Sequence, residues 1–164
     1  MALIKRKSFL RCMSALLVLA AAGAFAAKPG PEPSLSNAVN PSFGILLGGA
    51  SGRDFILNTD GTISGTNAAD YLSGAVAGSL TISGTNGAAI DILATNLSSN
   101  GGVNIVNVTC NFNNTGDQDC DLGFSAVASL GRGNDMSIGL EINTTQVHGD
   151  ATAAPTFDIV VNYI

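Results

Sequence analysis

One stretch determines how the rest of the chain is interpreted: Val103-Asn-Ile-Val-Asn-Val-Thr-Cys-Asn-Phe-Asn-Asn-Thr-Gly-Asp-Gln-Asp-Cys120. Its first part alternates between two sets of side chains, as a half-buried β-strand does. The two predicted faces are Val103, Ile105, Asn107 and Thr109 on one side and Asn104, Val106 and Val108 on the other. The asparagines and glycine that follow tolerate the positive φ angles of a turn. The sequence therefore predicts a β-hairpin at this point.

Two cysteines, Cys110 and Cys120, stand on the two arms of that hairpin. In an exported protein an even pair of cysteines is best interpreted as a disulfide. Direct pairing leaves Asn114-Thr115-Gly116 as a three-residue loop, with Gly116 where a left-handed residue is favoured. Closing a loop of this size stabilises the fold by roughly 2–3 kcal/mol on the chain-entropy model. The alternative, a pair of free redox thiols, lacks the Cys-x-x-Cys spacing.

Three carboxylates alternate along the second arm of the hairpin: Asp117, Asp119 and Asp121. Alternation places them on one face, where they repel each other unless water or a cation separates them. They are candidate ligands for Ca²⁺, which prefers oxygen donors, although Leu122 and Ala128 stand where an EF-hand requires Gly and Glu. A solvated hairpin and a Ca²⁺ site both stay open, and no other cofactor is expected.

From Ser42 onward, short β-like runs alternate with turns rich in glycine and asparagine. This spacing predicts an all-β, antiparallel two-sheet sandwich of about seven to nine strands over residues 42–164. Residues 68–77 hold the one plausible helical turn. The predicted strands are Phe43–Leu47, Asp54–Asn58, Gly61–Gly65, Val76–Ser83, Ala89–Thr95, Val103–Thr109, Leu122–Ser129, Ser137–Asn143 and Thr156–Tyr163.

A short internal repeat offers an alternative architecture. The sequence Thr62-Ile-Ser-Gly-Thr-Asn67 recurs as Thr81-Ile-Ser-Gly-Thr-Asn86. A β-solenoid produces such echoes but needs at least three stacked units to bury its core. Two copies favour two strands that end in similar turns.

Residues 1–26 have the features of a secretory signal peptide. Four cations precede a short apolar run, and Ala24-Phe25-Ala26 supplies the small residues of a cleavage site. The run is shorter than the about 20 apolar residues that span a membrane, although an uncleaved anchor is the alternative. Cys12 precedes the run, so lipid attachment is not expected. We expect cleavage before Ala27, no integral membrane segment afterwards, and export to the periplasm, cell surface or extracellular space.

Removal of residues 1–26 leaves three cations against twelve acidic residues, a formal net charge of −9. The three cations are Lys28, Arg53 and Arg132. A chain this acidic repels phosphate backbones, which argues against nucleic-acid partners.

The sequence shows no catalytic apparatus. His148 is the only histidine, no Gly-x-Ser-x-Gly motif exists, and the glycine-rich stretch at residues 48–52 lacks the Gly-Lys-Ser/Thr ending of a phosphate loop. The chain is therefore predicted not to be an enzyme, with no catalytic residues.

The two ends of the predicted mature chain have the features of segments that add to sheets. Residues 27–41 form an extended, proline-rich lead-in, whose second half could pair with a sheet edge. The chain ends in an alternating strand, Thr156–Tyr163. Its candidate residues for strand addition share one face: Phe157, Ile159, Val161 and Tyr163.

Several short motifs resemble an uncharacterised family of small secreted bacterial proteins. The first motifs are Ser42-Phe-Gly44, Gly48-Gly-Ala-Ser-Gly52 and the turn Asp60-Gly61, and the last are Gly149 and the strand ending at Tyr163. Members of that family resemble fimbrial subunits with a pilin-like or Ig-like β-sandwich. The resemblance implies an exported structural or surface protein, a pilus-type subunit that assembles by β-strand addition.

The penultimate Tyr163 is similar to the tyrosine of chaperone–usher pilins, which implies self-assembly or an assembly chaperone as partner. Those pilins also carry a glycine upstream of the last strand, at the place where this chain has Ala151 with Gly149 nearby. The alternative function is a monomeric secreted binding module that uses the three aspartates with Ca²⁺.

Overall fold

The computed structural model describes residues 30, 32–46, 51–129, 134–145 and 155–164. Regular structure in these ranges is antiparallel β-sheet, apart from a 3₁₀ turn at Ala68–Asp70. The strands are β1 (Ser34–Val39), β2 (Ile45–Leu46), β3 (Asp54–Leu57), β4 (Ile63–Ser64), β5 (Tyr71–Ser73), β6 (Gly78–Ser83), β7 (Asn86–Ser98), β8 (Val103–Phe112), β9 (Asp117–Asp119), β10 (Phe124–Ser129), β11 (Asn134–Thr144) and β12 (Thr156–Tyr163). The predicted all-β class is confirmed, and β12 has its predicted bounds.

The described chain has twelve strands, more than the seven to nine that were predicted. Three strands lie outside the nine predicted ranges, although the lead-in and the second arm of the hairpin were expected to pair with other strands. All side chains of β1 are exposed. β5 lies in the predicted helical segment, of which only Ala68–Asp70 is helical. The sequence of β9 is Asp-Gln-Asp, and aspartate is depleted in strands. β9 is therefore a strand because it pairs with β8, and not because of the propensity of its residues.

The strands form two main sheets around one hydrophobic core. The small sheet has the order β10-β7-β12, and the large sheet holds β1, β3, β4, β6, β8, β9 and β11. Buried side chains from both sheets belong to one cluster, including Ile90 and Ile92 of β7 with Ile82 of β6 and Met136 of β11. The strands β2 and β5 form a separate two-stranded ribbon. This arrangement is consistent with the predicted β-sandwich.

Strand β11 organises the large sheet. One of its edges pairs with β8 from Met136 to Thr144. Because a strand has only two edges, β6 and β3 share the other one, β6 beside Asn134–Ile138 and β3 beside Leu140–Asn143. Gly139 lies at the junction of those two segments. A Cβ atom there would lie 2.6 Å from the Leu57 carbonyl oxygen, so the junction admits only glycine without backbone movement.

A β-bulge in β8 changes which side chains of the strand are buried. The register of β8 on β11 shifts between Asn107 and Ile105, which leaves Val106 exposed. Beyond the bulge, Val108 and Cys110 point into the core. The prediction of one uninterrupted alternation from Val103 to Thr109 is therefore wrong, since a bulge inserts one residue and reverses the parity of those that follow.

The two copies of the internal repeat do not stack as solenoid units. The first contains β4, which pairs with β3, and the second contains the end of β6, which pairs with β1 and β11.

In the part of the chain that the structure describes, no helix is long and apolar enough to cross a membrane.

Candidate functional site

The hairpin of β8 and β9 holds the predicted disulfide, in a register that differs from the predicted one. Cys110 and Cys120 are bonded and fully buried, with their Cα atoms 5.7 Å apart. Cys110 lies opposite Gln118, and the Cys120 N–H donates to the Val108 carbonyl at 2.8 Å. The cysteines are therefore diagonal neighbours on one face rather than a directly opposed pair, a spacing that still suits a disulfide.

The shifted register moves the turn of this hairpin toward the N-terminus. Asn113 and Asn114 have φ angles of 51° and 57°, and the Thr115 N–H donates to the Phe112 carbonyl at 3.0 Å. These are the features of a type I′ turn, in which both central residues need positive φ. The predicted loop Asn114-Thr115-Gly116 is therefore wrong, although Gly116 does have a positive φ of 106°.

Cys120 also marks the corner where the chain leaves the large sheet for the small one. Its carbonyl accepts a hydrogen bond from the Ala94 N–H of β7 at 2.7 Å, while its N–H bonds to β8. One residue therefore connects the two sheets through its backbone and is bonded to Cys110 through its side chain. The disulfide secures the corner as well as the hairpin.

Each of the first two predicted cation ligands has side-chain hydrogen-bond donors beside it. Asp117 accepts hydrogen bonds from the Asn111 amide at 3.0 Å and the Thr59 hydroxyl at 2.8 Å. Asp119 accepts one from the Asn107 amide at 2.8 Å. Donors on β8 and in the turn after β3 thus stabilise the carboxylates without a cation. The third ligand, Asp121, follows β9 and has a buried Oδ1 atom without a hydrogen-bond partner.

The three aspartates do not form a metal-binding group. Within the described ranges, no cluster of three or more His, Cys, Asp or Glu residues could hold a metal ion. The structure therefore gives no support to the candidate Ca²⁺ site at Asp117, Asp119 and Asp121, which stays a prediction. The physical reason is that the carboxylates are spread along the strand and bond to amides and a hydroxyl across it instead of converging on one point.

This geometry predicts that a chelator leaves stability unchanged. Adding excess EDTA to the purified protein should not shift its melting temperature, because no cluster of carboxylates in the described ranges could hold a cation. Differential scanning calorimetry with and without added Ca²⁺ measures this. A melting temperature that falls with EDTA and recovers with Ca²⁺ would restore the cation site.

A groove of about 340 Å³ lies between the end of this hairpin and β10. Its lining residues are Phe112, Asn113, Thr115, Gln118, Phe124, Ser125 and Ala126. These side chains supply aromatic rings, amides and hydroxyls but no carboxylate, imidazole, amine or thiol. The groove therefore offers no acid or base for catalysis. His148 and the glycines at 48 and 49 lie outside the described residues.

The lead-in segment reaches the edge of the large sheet. β1 pairs antiparallel with β6, with Leu35 opposite Ile82 and Ser36 opposite Thr81. The register shifts between Ser36 and Val39, and Asn37 has a φ of 52°. The sequence predicts that part of residues 27–41 pairs with a sheet edge but does not identify β6 as its neighbour, since alternation does not specify which strand pairs with which.

The C-terminal strand β12 lies at one edge of the small sheet and pairs only with β7 in the described chain. All four predicted strand-addition residues are half-buried and pack against the core: Phe157, Ile159, Val161 and Tyr163. The hydroxyl oxygen of Tyr163 accepts a hydrogen bond from the Thr85 N–H at 2.6 Å. This bond ties the end of the chain to the turn between β6 and β7.

Comparison with known proteins adds no relative to this description: no protein-family model, no curated protein and no solved structure matches the chain. The resemblance to fimbrial subunits therefore stays a prediction.

Proposed function

We propose that this protein is an exported structural subunit, of a fimbrial or surface type, that assembles by β-strand addition. The observation that carries the proposal is the placement of β1. This strand belongs to the large sheet by its hydrogen bonds but buries none of its side chains completely, and its two large apolar residues, Leu35 and Val39, are 43% and 47% exposed.

A strand of this kind can be exchanged between molecules at little cost in contacts. Its pairing with β6 consists of main-chain hydrogen bonds and one side-chain bond, from the Asn37 amide to the Thr81 hydroxyl at 3.4 Å. β1 of a second molecule would reproduce these bonds.

The segment that joins β1 to the body of the domain is short, Asn40 and Pro41, and Ser42 then pairs with Val76. Proline restricts its own φ and the backbone of the residue before it, so this connection favours an extended chain. An extended connection allows β1 to pair either with its own domain or with a neighbouring molecule.

The disulfide supports the placement of this function outside the cytoplasm. Cys110 and Cys120 are bonded in the core, and such bonds form and persist in oxidising compartments. We propose that residues 1–26 direct the chain to such a compartment and that the protein acts in the periplasm, at the cell surface or outside the cell. Either self-association or a dedicated assembly chaperone would fill the strand position.

Deleting residues 27–41 should abolish self-assembly and leave a folded domain. The deletion removes β1 but none of the buried core residues, so we expect a loss of about 1–3 kcal/mol in unfolding free energy, the scale of partly burying two aliphatic side chains. Light scattering after size-exclusion chromatography measures the mass, and thermal unfolding measures the stability.

Deletion of residues 27–33 alone is the matched control, because it keeps β1 and should keep assembly. Assembly that persists without residues 27–41 would contradict the exchange of β1. An unfolded deletion variant would also contradict it, because it would make β1 an integral strand of its own domain.

A further inference from the structure

The groove beside the β8–β9 hairpin lies between strands of the two sheets, since β9 belongs to the large sheet and β10 to the small one. All the residues that line it fall between positions 112 and 126, within the continuous described range 51–129. Its volume of about 340 Å³ is at the lower end of the range of small-molecule sites. The groove therefore has room for a small ligand.

The groove has a polar rim that is exposed and uncharged. The rim consists of Asn113, Thr115, Gln118 and Ser125. A charged ligand that gives up water needs an opposite charge beside it, and no lining side chain supplies one. The chain is also acidic overall, which disfavours anions further. The chemistry of the rim therefore selects a neutral ligand.

Two oxygens of the rim are held in place as hydrogen-bond acceptors. The Asn113 amide nitrogen donates to Oδ1 of the buried Asn134 at 2.7 Å. The Thr115 hydroxyl donates to the Phe112 carbonyl at 2.7 Å. These two bonds use side-chain donors and leave Asn113 Oδ1 and Thr115 Oγ1 to accept. Both residues belong to the type I′ turn, so one backbone segment positions the two acceptors together.

The other two groups of the rim both donate and accept. In the described chain, the side chains of Gln118 and Ser125 make no hydrogen bond. The Gln118 amide offers two N–H donors and an acceptor oxygen, and the Ser125 hydroxyl offers one donor and acceptor lone pairs. The half-buried ring of Phe124 lines the same groove and supplies apolar surface. This combination suits a ligand that carries hydroxyl groups around a C–H framework.

We propose that this groove binds a neutral saccharide unit. A pyranose ring carries neighbouring hydroxyls, each of which donates and accepts, around C–H groups that pack on an aromatic ring. The fixed acceptors of Asn113 and Thr115 suit two hydroxyl donors. Gln118 and Ser125 suit hydroxyls that accept, and Phe124 supplies the apolar contact.

The same features argue against two other neutral ligands. A nucleobase stacks on an open ring face, whereas Phe112 is buried and Phe124 packs against the core. An extended peptide is recognised mainly through main-chain hydrogen bonds at a sheet edge, whereas side-chain groups form this rim. Neither β1 nor β6 lines the groove, so a saccharide site adds a binding activity that does not depend on the exchange of β1.

Titration of the isotope-labelled, oxidised protein, followed by nuclear magnetic resonance, tests the site. The probes are glucose, galactose, mannose, N-acetylglucosamine, lactose, maltose and cellobiose, each added to about 50 mM. At least one of these sugars should shift the side-chain amide resonances of Asn113 and Gln118. We expect a Kd of about 1–10 mM, the range for a few hydrogen bonds in an open groove. No shift with any of the sugars would overturn the proposal.

Gln118→Ala tests the contribution of the rim. It should raise the Kd for the sugar by about fivefold or more, because a donor and an acceptor are lost together. Asn162→Ala is the matched control, since it removes an exposed amide from β12, outside the groove, and should change the Kd by less than about twofold. Both variants should keep the wild-type melting temperature. Equal effects of the two variants on the Kd would overturn the proposal.

The same amide resonances distinguish other occupants of the groove. Adenosine and an acetylated, amidated triglycine serve as the neutral nucleoside and the neutral peptide. Shifts with either of them and with no sugar would overturn the assignment to saccharides. Shifts that depend on protein concentration alone would assign the groove to a contact between copies of the chain and would overturn it as well.

Discussion

Replacing Cys110 and Cys120 together by alanine should lower the free energy of unfolding by about 2–5 kcal/mol, the usual range for a native disulfide in a small domain. Both sulfurs are fully buried, and Cys120 is the corner residue whose backbone bonds to β7 and β8. Loss of the bond therefore loosens the hairpin and the connection between the sheets. Urea unfolding under oxidising conditions measures the change.

Dithiothreitol supplies the control for this prediction. It should reduce the stability of the wild-type protein to near that of the double variant and leave the variant itself unchanged. A double variant as stable as the oxidised wild type would show that the corner is held by packing alone and that the disulfide is dispensable.

The variant Gly139→Ala should lose about 2–4 kcal/mol, although it adds a single methyl group. That Cβ atom would lie 2.6 Å from the Leu57 carbonyl oxygen and 3.2 Å from the Thr59 amide nitrogen. Both atoms belong to the backbone, so relief requires β3 to move away from β11. Thermal or urea unfolding measures the loss.

Ser137→Ala is the matched control for Gly139, because it changes a partly exposed residue of the same strand and should alter stability by no more than about 0.5 kcal/mol. A Gly139→Ala protein of wild-type stability would mean that β3 and β6 do not meet on one edge of β11 as described.

The all-β class was predictable because alternation and turn residues are local properties. The last strand, Thr156–Tyr163, was predicted with its bounds because its alternation is unbroken. The disulfide was predictable because an even pair of cysteines in an exported protein usually forms one and because their spacing suits a hairpin. The register of that hairpin was not predictable. Either Asn113-Asn114 or Asn114-Thr115-Gly116 can form the turn, and the choice depends on how β8 pairs with β11 beyond the hairpin.

The remaining features depend on contacts between distant segments. The residues around Val106 do not indicate a bulge. The sequence around Gly139 likewise does not indicate that the backbone of β3 lies too close for a Cβ atom. The pairing of β1 with β6 joins segments whose sequences carry no signal for each other. The hydrogen bonds of the hairpin aspartates also depend on other segments of the chain. Their spacing indicated convergence on a cation, whereas donors from β8 and from Thr59 bond to one carboxylate oxygen of Asp117 and one of Asp119.

A cross-link between Ser36 and Thr81, which lie opposite each other in β1 and β6, detects exchange of β1 between molecules. A chain carrying Ser36→Cys is refolded together with a mass-tagged chain carrying Thr81→Cys and then oxidised, with Ser36→Cys and Val106→Cys as the control pair. We expect a covalent heterodimer between the first two chains and none in the control. Absence of that heterodimer, together with efficient closure of the bond within a single chain that carries both Ser36→Cys and Thr81→Cys, would contradict it.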